Sequence, residues 1–208
     1  MIKIWLTTRP NHDLTTNYLS SWMGLVFNQA KKSGIKVLDL KGKRANKKEL
    51  TSMVYKLKPD LIVFNGHGDE MTITGNDDNI LIKEGVNDNL LKDKIIYAIA
   101  CRSAKSLGVS AISKGAKAYI GYNEDFIFLI DEKFISKPLM DKTAALFLNP
   151  SNYLVLCLLK GHHPKDSYEK SKSAYKRNIE KLMTSEASKE DKEVLPYLIW
   201  NMKHQVCL

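Results

Sequence analysis

Two apolar segments, each ending at a reactive side chain, most constrain what this chain can fold into. Residues 61–65 lead into Gly66-His67-Gly68, and residues 95–100 lead into Cys101. Short runs rich in β-branched and apolar residues are typical of buried strands in a parallel sheet. Because ligands and chemistry in open α/β sheets gather at the carboxyl ends of the strands, we expect His67 and Cys101 at one sheet edge.

The segments around these two runs alternate between strand and helix patterns. Strands are predicted at residues 3–7, 35–40 and 60–65. The first helix is predicted to start after Asp13 and to end at Gly34, and Asn46 caps a second one that ends before residue 60. Strand-helix-strand-helix-strand spacing of this kind predicts right-handed crossovers and a parallel core.

The remaining residues predict a hairpin, two further core strands and a helical last third. Segments 71–74 and 80–83 flank a polar turn and predict a small accessory β-hairpin. Further elements are expected at 86–91 (short helix), 95–100 (strand), 104–114 (helix), 118–122 (strand), 133–148 (helix), 168–182 (helix) and 193–202 (helix). Asn149-Pro150 resembles an N-cap followed by proline, which predicts another helix through residue 159.

Length and composition place the chain among ordinary one-domain proteins. It has 208 residues, of which 44% are hydrophobic and 26% are charged. We expect one domain over residues 1–208, with a core at 1–125 and a mainly helical part at 131–208. The apolar runs are too short to span a membrane, and residues 1–6 indicate a first strand instead of a signal peptide. Three widely spaced cysteines favour free thiols in a reducing cytoplasm.

The chain is basic, and the charge has two interpretations. Its net charge is +9, and residues 31–58 contain ten lysine or arginine residues. Such a segment can bind nucleic acid or an acidic partner. The segment is mostly lysine and has few aromatic residues for stacking on bases, so we favour a solvated lysine-rich face without direct nucleic-acid binding.

The two strand-end motifs suit nucleophilic chemistry by a thiol. Such chemistry needs an accessible sulfur, a base and donors for the developing oxyanion. His67 supplies the base, and the N–H groups of Gly68 and Cys101 are candidate oxyanion donors. Cys101 directly precedes a predicted helix, whose dipole is expected to favour the thiolate. A lone cysteine or histidine in these places is usually structural, but the pair together favours a catalytic dyad.

These motifs resemble those of the caspase–hemoglobinase superfold, most closely the prokaryotic CHAT-type peptidases. That superfamily places its histidine after one strand, usually as His-Gly, and its cysteine at the end of the next core strand, often as Ala-Cys. Here the matching residues are His67-Gly68 and Ala100-Cys101, and the similarity extends by pattern over residues 1–125. The resemblance implies a caspase-like three-layer sandwich, a mostly parallel sheet with helices on both faces, and a cysteine endopeptidase with His67 as base and Cys101 as nucleophile.

The chain also departs from these relatives. Some members that cleave after basic residues carry an acidic residue two positions before the cysteine, where this chain has Ile99. Only residues 102–117 separate Cys101 from the next predicted strand, so we do not expect caspase-type maturation by linker cleavage. The repeat domain that often accompanies CHAT peptidases is missing, which implies that any sensor in a defence or signalling role is a separate regulatory partner chain.

Three further residues are candidates for substrate binding. Glu124 and Asp125 follow the predicted strand at 118–122, about where CHAT-like relatives place an aspartate that binds a basic substrate side chain. Arg9 ends the first strand, close to where caspases place an arginine that binds an acidic one. We favour Asp125, and therefore a protein or peptide substrate cut after a basic residue.

Two other functions and one ion site stay open. The chain could be an inactive caspase-like binding or scaffold module, or a basic nucleic-acid-binding α/β protein. The presence of both His67 and Cys101 favours the enzyme. The proposed chemistry needs no metal or organic cofactor, although the acidic pair Asp77-Asp78 could hold a separate regulatory ion.

Overall fold

A six-stranded sheet forms the centre of the computed structural model, which describes residues 1–184 and 192–208. Its strands are β1 (Ile4–Arg9), β2 (Lys36–Lys41), β3 (Leu61–Asn65), β6 (Ile95–Ile99), β7 (Ala118–Tyr122) and β8 (Gln205–Cys207). Their order across the sheet is β2-β1-β3-β6-β7-β8. β8 runs antiparallel to β7, and the other neighbouring pairs are parallel. The predicted α/β fold with a mostly parallel sheet is confirmed.

Helices cover both faces of this sheet. They are α1 (Leu14–Gly24), α2 (Phe27–Lys32), α3 (Lys47–Leu57), α4 (Leu107–Ser113), α5 (Lys142–Leu159), α6 (Pro164–Leu182) and α7 (Leu195–His204). Alternate residues of β3 belong to different cores: Leu61 and Val63 pack with α1, α2, α5 and α6, whereas Ile62 and Phe64 pack with α3 and α4. This alternation is the period of a strand, and it produces three layers.

The N-caps inferred for the first two helices, Asp13 and Asn46, are confirmed. Asp13 accepts a hydrogen bond from the Thr16 backbone N–H, and the Thr16 side chain in turn accepts one from the Asp13 N–H. Asn46 accepts a hydrogen bond from the Glu49 backbone N–H at the start of α3. Each cap supplies a partner for a backbone donor that the first helical turn leaves free.

The predicted hairpin is present as β4 (Thr72–Thr74) and β5 (Ile80–Lys83). It is tied to the loop after β3, because the Thr74 N–H donates to the carbonyl oxygen of His67 at 2.9 Å. Its tip is tied to the loop before α3 by a 2.8 Å hydrogen bond from the Asn76 N–H to the Ala45 carbonyl. The hairpin therefore holds the His67 loop and its own tip beside the carboxyl edge of the sheet.

Some predicted helices have other boundaries. The helix expected from Asp13 to Gly34 is two helices, because the chain turns between Gly24 and Phe27. The helix expected at 104–114 begins only at Leu107, after a series of turns. The short helix expected at 86–91 is a 3-10 turn at Asp88–Leu91.

Residues 142–159 are helical as predicted, but they form one helix, so the predicted start at residue 133 and the predicted break at Asn149-Pro150 were wrong. Residues 133–141 contain two 3-10 turns, and Asp141 caps α5 by accepting a hydrogen bond from the Ala144 N–H. Pro150 lies inside α5, so Asn149 is not an N-cap. Buried side chains on both sides of Pro150, including Phe147 and Leu154, pack into the same core, and this tertiary packing outweighs the local preference of proline for a first turn.

Candidate active site

His67 and Cys101 follow neighbouring strands at the same edge of the sheet. The last paired residues of β3 and β6 are Asn65 and Ile99, so His67 and Cys101 each lie two residues further on. A hydrogen bond of 3.2 Å from the Gly66 N–H to the Ile99 carbonyl extends the pairing beyond β3. The structure thus brings the two candidate catalytic residues to one edge.

The loops that carry them are in direct contact at Gly68. A Cβ atom built on Gly68 would lie 3.0 Å from the Ala100 Cβ and 2.7 Å from the Thr72 carbonyl oxygen. Both distances are shorter than ordinary contacts, so a larger residue would push the His67 and Cys101 loops apart. Glycine is needed here for close approach of the backbone, and not for a left-handed conformation.

Asp13 holds the imidazole of His67. The distance from His67 Nε2 to Asp13 Oδ2 is 2.7 Å, and both side chains are partly exposed. Partial burial acts to raise the pKa of Asp13, but hydrogen bonds from the Thr16 backbone and from His67 outweigh it, and the pKa lies below its ordinary value. The same carboxylate therefore caps α1 and orients the candidate base.

The environment of the Cys101 thiol differs from the expected one. Burial raises the pKa of Cys101, and the Asp125 carboxylate raises it further. The predicted stabilisation of a thiolate by a helix dipole is wrong, because α4 starts at Leu107 and the effect of a dipole is limited to the first turn. The resting cysteine is therefore a thiol, and its use as a nucleophile requires a base.

No hydrogen bond joins His67 to Cys101 within the described part of the chain. The thiol instead faces the Phe126 carbonyl oxygen, with Sγ 4.0 Å away. The backbone N–H groups of Gly68 and Cys101 donate to no acceptor in residues 1–184 and 192–208, which leaves both candidate oxyanion donors available.

Asp125 lies beside the thiol and forms an ion pair with Arg102. The distance from Arg102 Nε to Asp125 Oδ1 is 3.1 Å, and both side chains are well exposed. The Arg102 backbone adopts a left-handed conformation, with φ of 55°, and its N–H donates to the Glu124 carbonyl oxygen. This hydrogen bond fixes the loop after β7 against the Cys101 loop, so Glu124 and Asp125 border the candidate site.

Arg9 occupies an internal position. Its guanidinium binds both carboxylate oxygens of Asp39, at 2.9 and 2.6 Å, and donates to the Ser20 carbonyl oxygen at 2.7 Å. It also lies over the Phe27 ring, 4.7 Å from the ring centroid. These contacts hold β1, β2 and α1 together, and they occupy the donors with which Arg9 would bind an acidic substrate side chain.

Two residues near His67 have roles that the sequence did not indicate. His12 Nε2 lies 3.3 Å from Asp13 Oδ2 and 3.4 Å from Asp78 Oδ1. Asp13 was predicted as a helix cap, but not as the partner of a histidine 54 residues away. Asp69, the acidic residue nearest to His67 in sequence, accepts hydrogen bonds from the Met71 and Thr72 backbone instead. The His-Asp pair at 12–13 after β1 is the signal that could have indicated this arrangement.

Comparison with known proteins adds no family assignment. No protein-family model matches the chain, and no curated protein matches it significantly. Among residues 1–184 and 192–208, no helix has the length and apolar character required to cross a membrane.

Proposed function

We propose that the protein is a cysteine endopeptidase in which Cys101 is the nucleophile and His67 is the general base. The observation that carries this proposal is that the two residues directly follow neighbouring, paired strands and that their loops touch at Gly68. The caspase–hemoglobinase superfold, which the motifs resemble, also places histidine after one strand and cysteine after the next core strand. The three-layer arrangement supports the same family.

The proposed reaction uses groups that are close to this edge. The thiol rotates from the Phe126 carbonyl toward His67 and transfers its proton to the imidazole, and the thiolate attacks the peptide carbonyl carbon. The Gly68 and Cys101 N–H groups stabilise the oxyanion. His67 then donates the proton to the leaving amine as the carbon–nitrogen bond breaks, and water hydrolyses the thioester. Catalytic hydrogen bonds often form only when substrate is bound, and a thiol with a raised pKa depends on such a base.

Asp125 supports a preference for a basic residue before the cleaved bond. Its carboxylate is exposed and adjacent to the thiol, and the Arg102 Nε atom lies 3.1 Å from Asp125 Oδ1, so a guanidinium can approach this carboxylate. A substrate arginine would displace Arg102 and bind the carboxylate, and its planar fork suits a carboxylate better than lysine does. Glu124 lies next to Asp125 and adds negative charge.

The test is a peptide-library cleavage assay on the wild-type protein and four variants. Cys101→Ala and His67→Ala should each abolish cleavage, whereas Cys207→Ala, which removes another partly buried thiol, should retain it. Nucleophile and base act as a unit, so the double variant should be little worse than either single one. Turnover by correctly folded Cys101→Ala protein would refute the proposal.

The same variants test the site without any substrate. Iodoacetamide should label Cys101 faster than the buried Cys157, and His67→Ala should slow the labelling of Cys101 because the base is lost. Equal labelling rates for Cys101 in wild-type and His67→Ala protein would show that His67 does not activate the thiol. This result would favour a binding or scaffold module.

A further inference from the structure

His67 also belongs to a cluster of side chains of the types that bind metal ions, and the other members of this cluster have no part in the proposed thiol chemistry. One ligand atom each from His12, His67 and Asp78 lies within 4.8 Å of the others. The three residues come from the loop after β1, the loop after β3 and the hairpin tip. The hairpin binds the loop after β3 through the Thr74 N–H and the His67 carbonyl, at 2.9 Å. It binds the loop after β1 through Asn76 Oδ1 and the Asn11 N–H, at 3.3 Å. The fold itself therefore assembles the cluster.

The contacts of His12 are not explained by hydrogen bonding. Its Nε2 atom lies 3.3 Å from Asp13 Oδ2 and 3.4 Å from Asp78 Oδ1, but neither contact has hydrogen-bond geometry. Both ring nitrogens of His12 are shielded from solvent and have no hydrogen-bond partner among the described residues. Buried polar atoms normally have a partner, and a cation bound between this imidazole and the two carboxylates would be that partner.

The 3.4 Å separation between His12 Nε2 and Asp78 Oδ1 matches that between two ligands of one small ion, and the His67 ligand atom lies within 4.8 Å of both. Two donors bound at about 2.0–2.1 Å to a tetrahedral zinc ion lie about 3.3–3.4 Å apart. The donor set of two imidazoles and carboxylate oxygen suits zinc and related transition metals, whereas calcium and magnesium prefer oxygen ligands. Asp13, which contacts both imidazoles, adds a second negative charge beside the ion.

We propose that His12, His67 and Asp78 form a binding site for a divalent transition metal of the zinc class, and that the bound metal switches the peptidase off. The inhibition rests on the proposed function of His67, whereas the metal site does not. A neutral imidazole has one lone pair and one N–H group, so a metal that takes the lone pair leaves the proton on the other nitrogen. His67 then has no lone pair with which to accept the thiol proton.

Metal binding is measured with Zn²⁺ by calorimetry and with Co²⁺ by visible absorption, using full-length Cys101→Ala protein to exclude ligation by that thiol. This protein should bind one metal ion. Adding His12→Ala or Asp78→Asn should weaken binding about tenfold or more, since each removes a ligand. The matched controls Asp77→Asn and His162→Ala, which alter an adjacent aspartate and an exposed histidine, should leave the affinity unchanged.

Two results would overturn the metal site: no binding by the Cys101→Ala protein, or equal binding after both His12→Ala and Asp78→Asn. Asp78 is exposed, so its variant should fold even if His12→Ala does not. Inhibition is measured separately, as loss of wild-type peptide cleavage at zinc concentrations that saturate the site, with relief in Asp78→Asn. If zinc inhibits Asp78→Asn as strongly as the wild-type protein, the proposed switch is overturned. If the protein binds metal but the metal-free protein cleaves no peptide, only the peptidase proposal is refuted.

Discussion

At the residue scale, two carboxylates prepare the candidate site in opposite ways. Asp13 orients the candidate base, because it contacts His67 at 2.7 Å while it caps α1. Ionisation of the candidate nucleophile is opposed, because burial of the thiol and the negative charge of Asp125 both raise the pKa of Cys101. The resting site is therefore a thiol near an oriented imidazole, and its reactivity depends on proton transfer.

Asp125→Asn should make Cys101 more reactive toward alkylation while it weakens binding of basic substrates. The substitution removes a charge that raises the thiol pKa, and it frees Arg102, whose positive charge lowers that pKa. The midpoint of the iodoacetamide rate against pH should move to lower pH. Glu132→Gln, an equal charge change in an exposed turn, should leave the midpoint in place. An unchanged or higher midpoint in Asp125→Asn would contradict this electrostatic account.

Asp13→Asn and Asp13→Ala should separate the two roles of Asp13. Asparagine is a good N-cap, so Asp13→Asn should keep the stability of α1, whereas Asp13→Ala should cost about 1 kcal/mol in urea unfolding. Both substitutions should lower peptide turnover about 10–100-fold, because they remove the residue that orients His67. A positioned base accelerates a reaction roughly 10²–10⁴-fold, and we expect part of this acceleration to be lost.

Asn46→Ala is the matched control for Asp13, because it removes the corresponding cap of α3. It should lose similar stability and keep full turnover. If turnover falls in proportion to the loss of stability in all three variants, Asp13 acts only as a helix cap and does not position His67.

The sequence indicates the candidate catalytic residues more clearly than the residues that contact them. His67 and Cys101 could be found because each directly ends an apolar run, and the parallel topology then brings them to one edge. The His-Asp pair at 12–13 is the local signal for the contacts of Asp13 and His12 with the site, but which residue they contact depends on how the loop after β1 folds over the sheet edge. The ion pair of Arg9 with Asp39 is hidden for the same reason, because it joins two neighbouring strands.

At the element scale, the hairpin connects the sheet edge to the proposed metal site of His12, His67 and Asp78. It is attached through the Thr74 N–H to His67 and through the Asn76 N–H to Ala45. Gly75 makes this attachment feasible, since a Cβ atom there would clash with the Ala45 carbonyl oxygen and lie 2.8 Å from Leu81 Cδ2. The position of Asp78 therefore depends on a glycine that permits close approach of two backbones.

Gly75→Ala should displace the hairpin tip and lower the unfolding free energy by about 1–3 kcal/mol, the usual cost of overpacking. Because the tip carries Asp78, Zn²⁺ affinity should fall as well. Gly24→Ala is the control, since a Cβ atom there would meet only Arg9 Nη1 at an ordinary 3.5 Å. Wild-type stability and Zn²⁺ affinity in Gly75→Ala would contradict the packing described here.

Local signals located strands and caps well but could not decide where helices break. Asp13 and Asn46 cap α1 and α3 as expected, because a cap depends on neighbouring residues alone. Asn149-Pro150 also has a local signature for a helix start, yet α5 continues through it because one buried face extends along the whole helix. Burial of α5 against other elements determines that the helix continues, and neighbouring residues in the sequence do not encode this burial.

At the scale of the whole molecule, the sheet is covered on both faces and its edge beside β7 is closed by a short antiparallel strand. β8 has only three residues and no clear strand pattern, so the sequence did not predict it. It pairs with β7, and Gln205 Nε2 donates to the Tyr122 hydroxyl in the buried core at 3.1 Å. Closing the edge in this way prevents β7 from pairing with another chain.

Removal of residues 205–208 should therefore destabilise the protein and promote its association. The backbone of Tyr119 would lose the two hydrogen bonds that it exchanges with Leu208, and the buried Tyr122 hydroxyl would lose its hydrogen bond from Gln205. Each buried polar group left unsatisfied costs about 1–3 kcal/mol. Urea unfolding and light scattering measure both effects. Gln205→Ala should lose stability without association, because it removes the side-chain contact and keeps the strand. A truncated protein that stays monomeric and as stable as wild type would show that β8 neither stabilises the core nor protects the edge of β7.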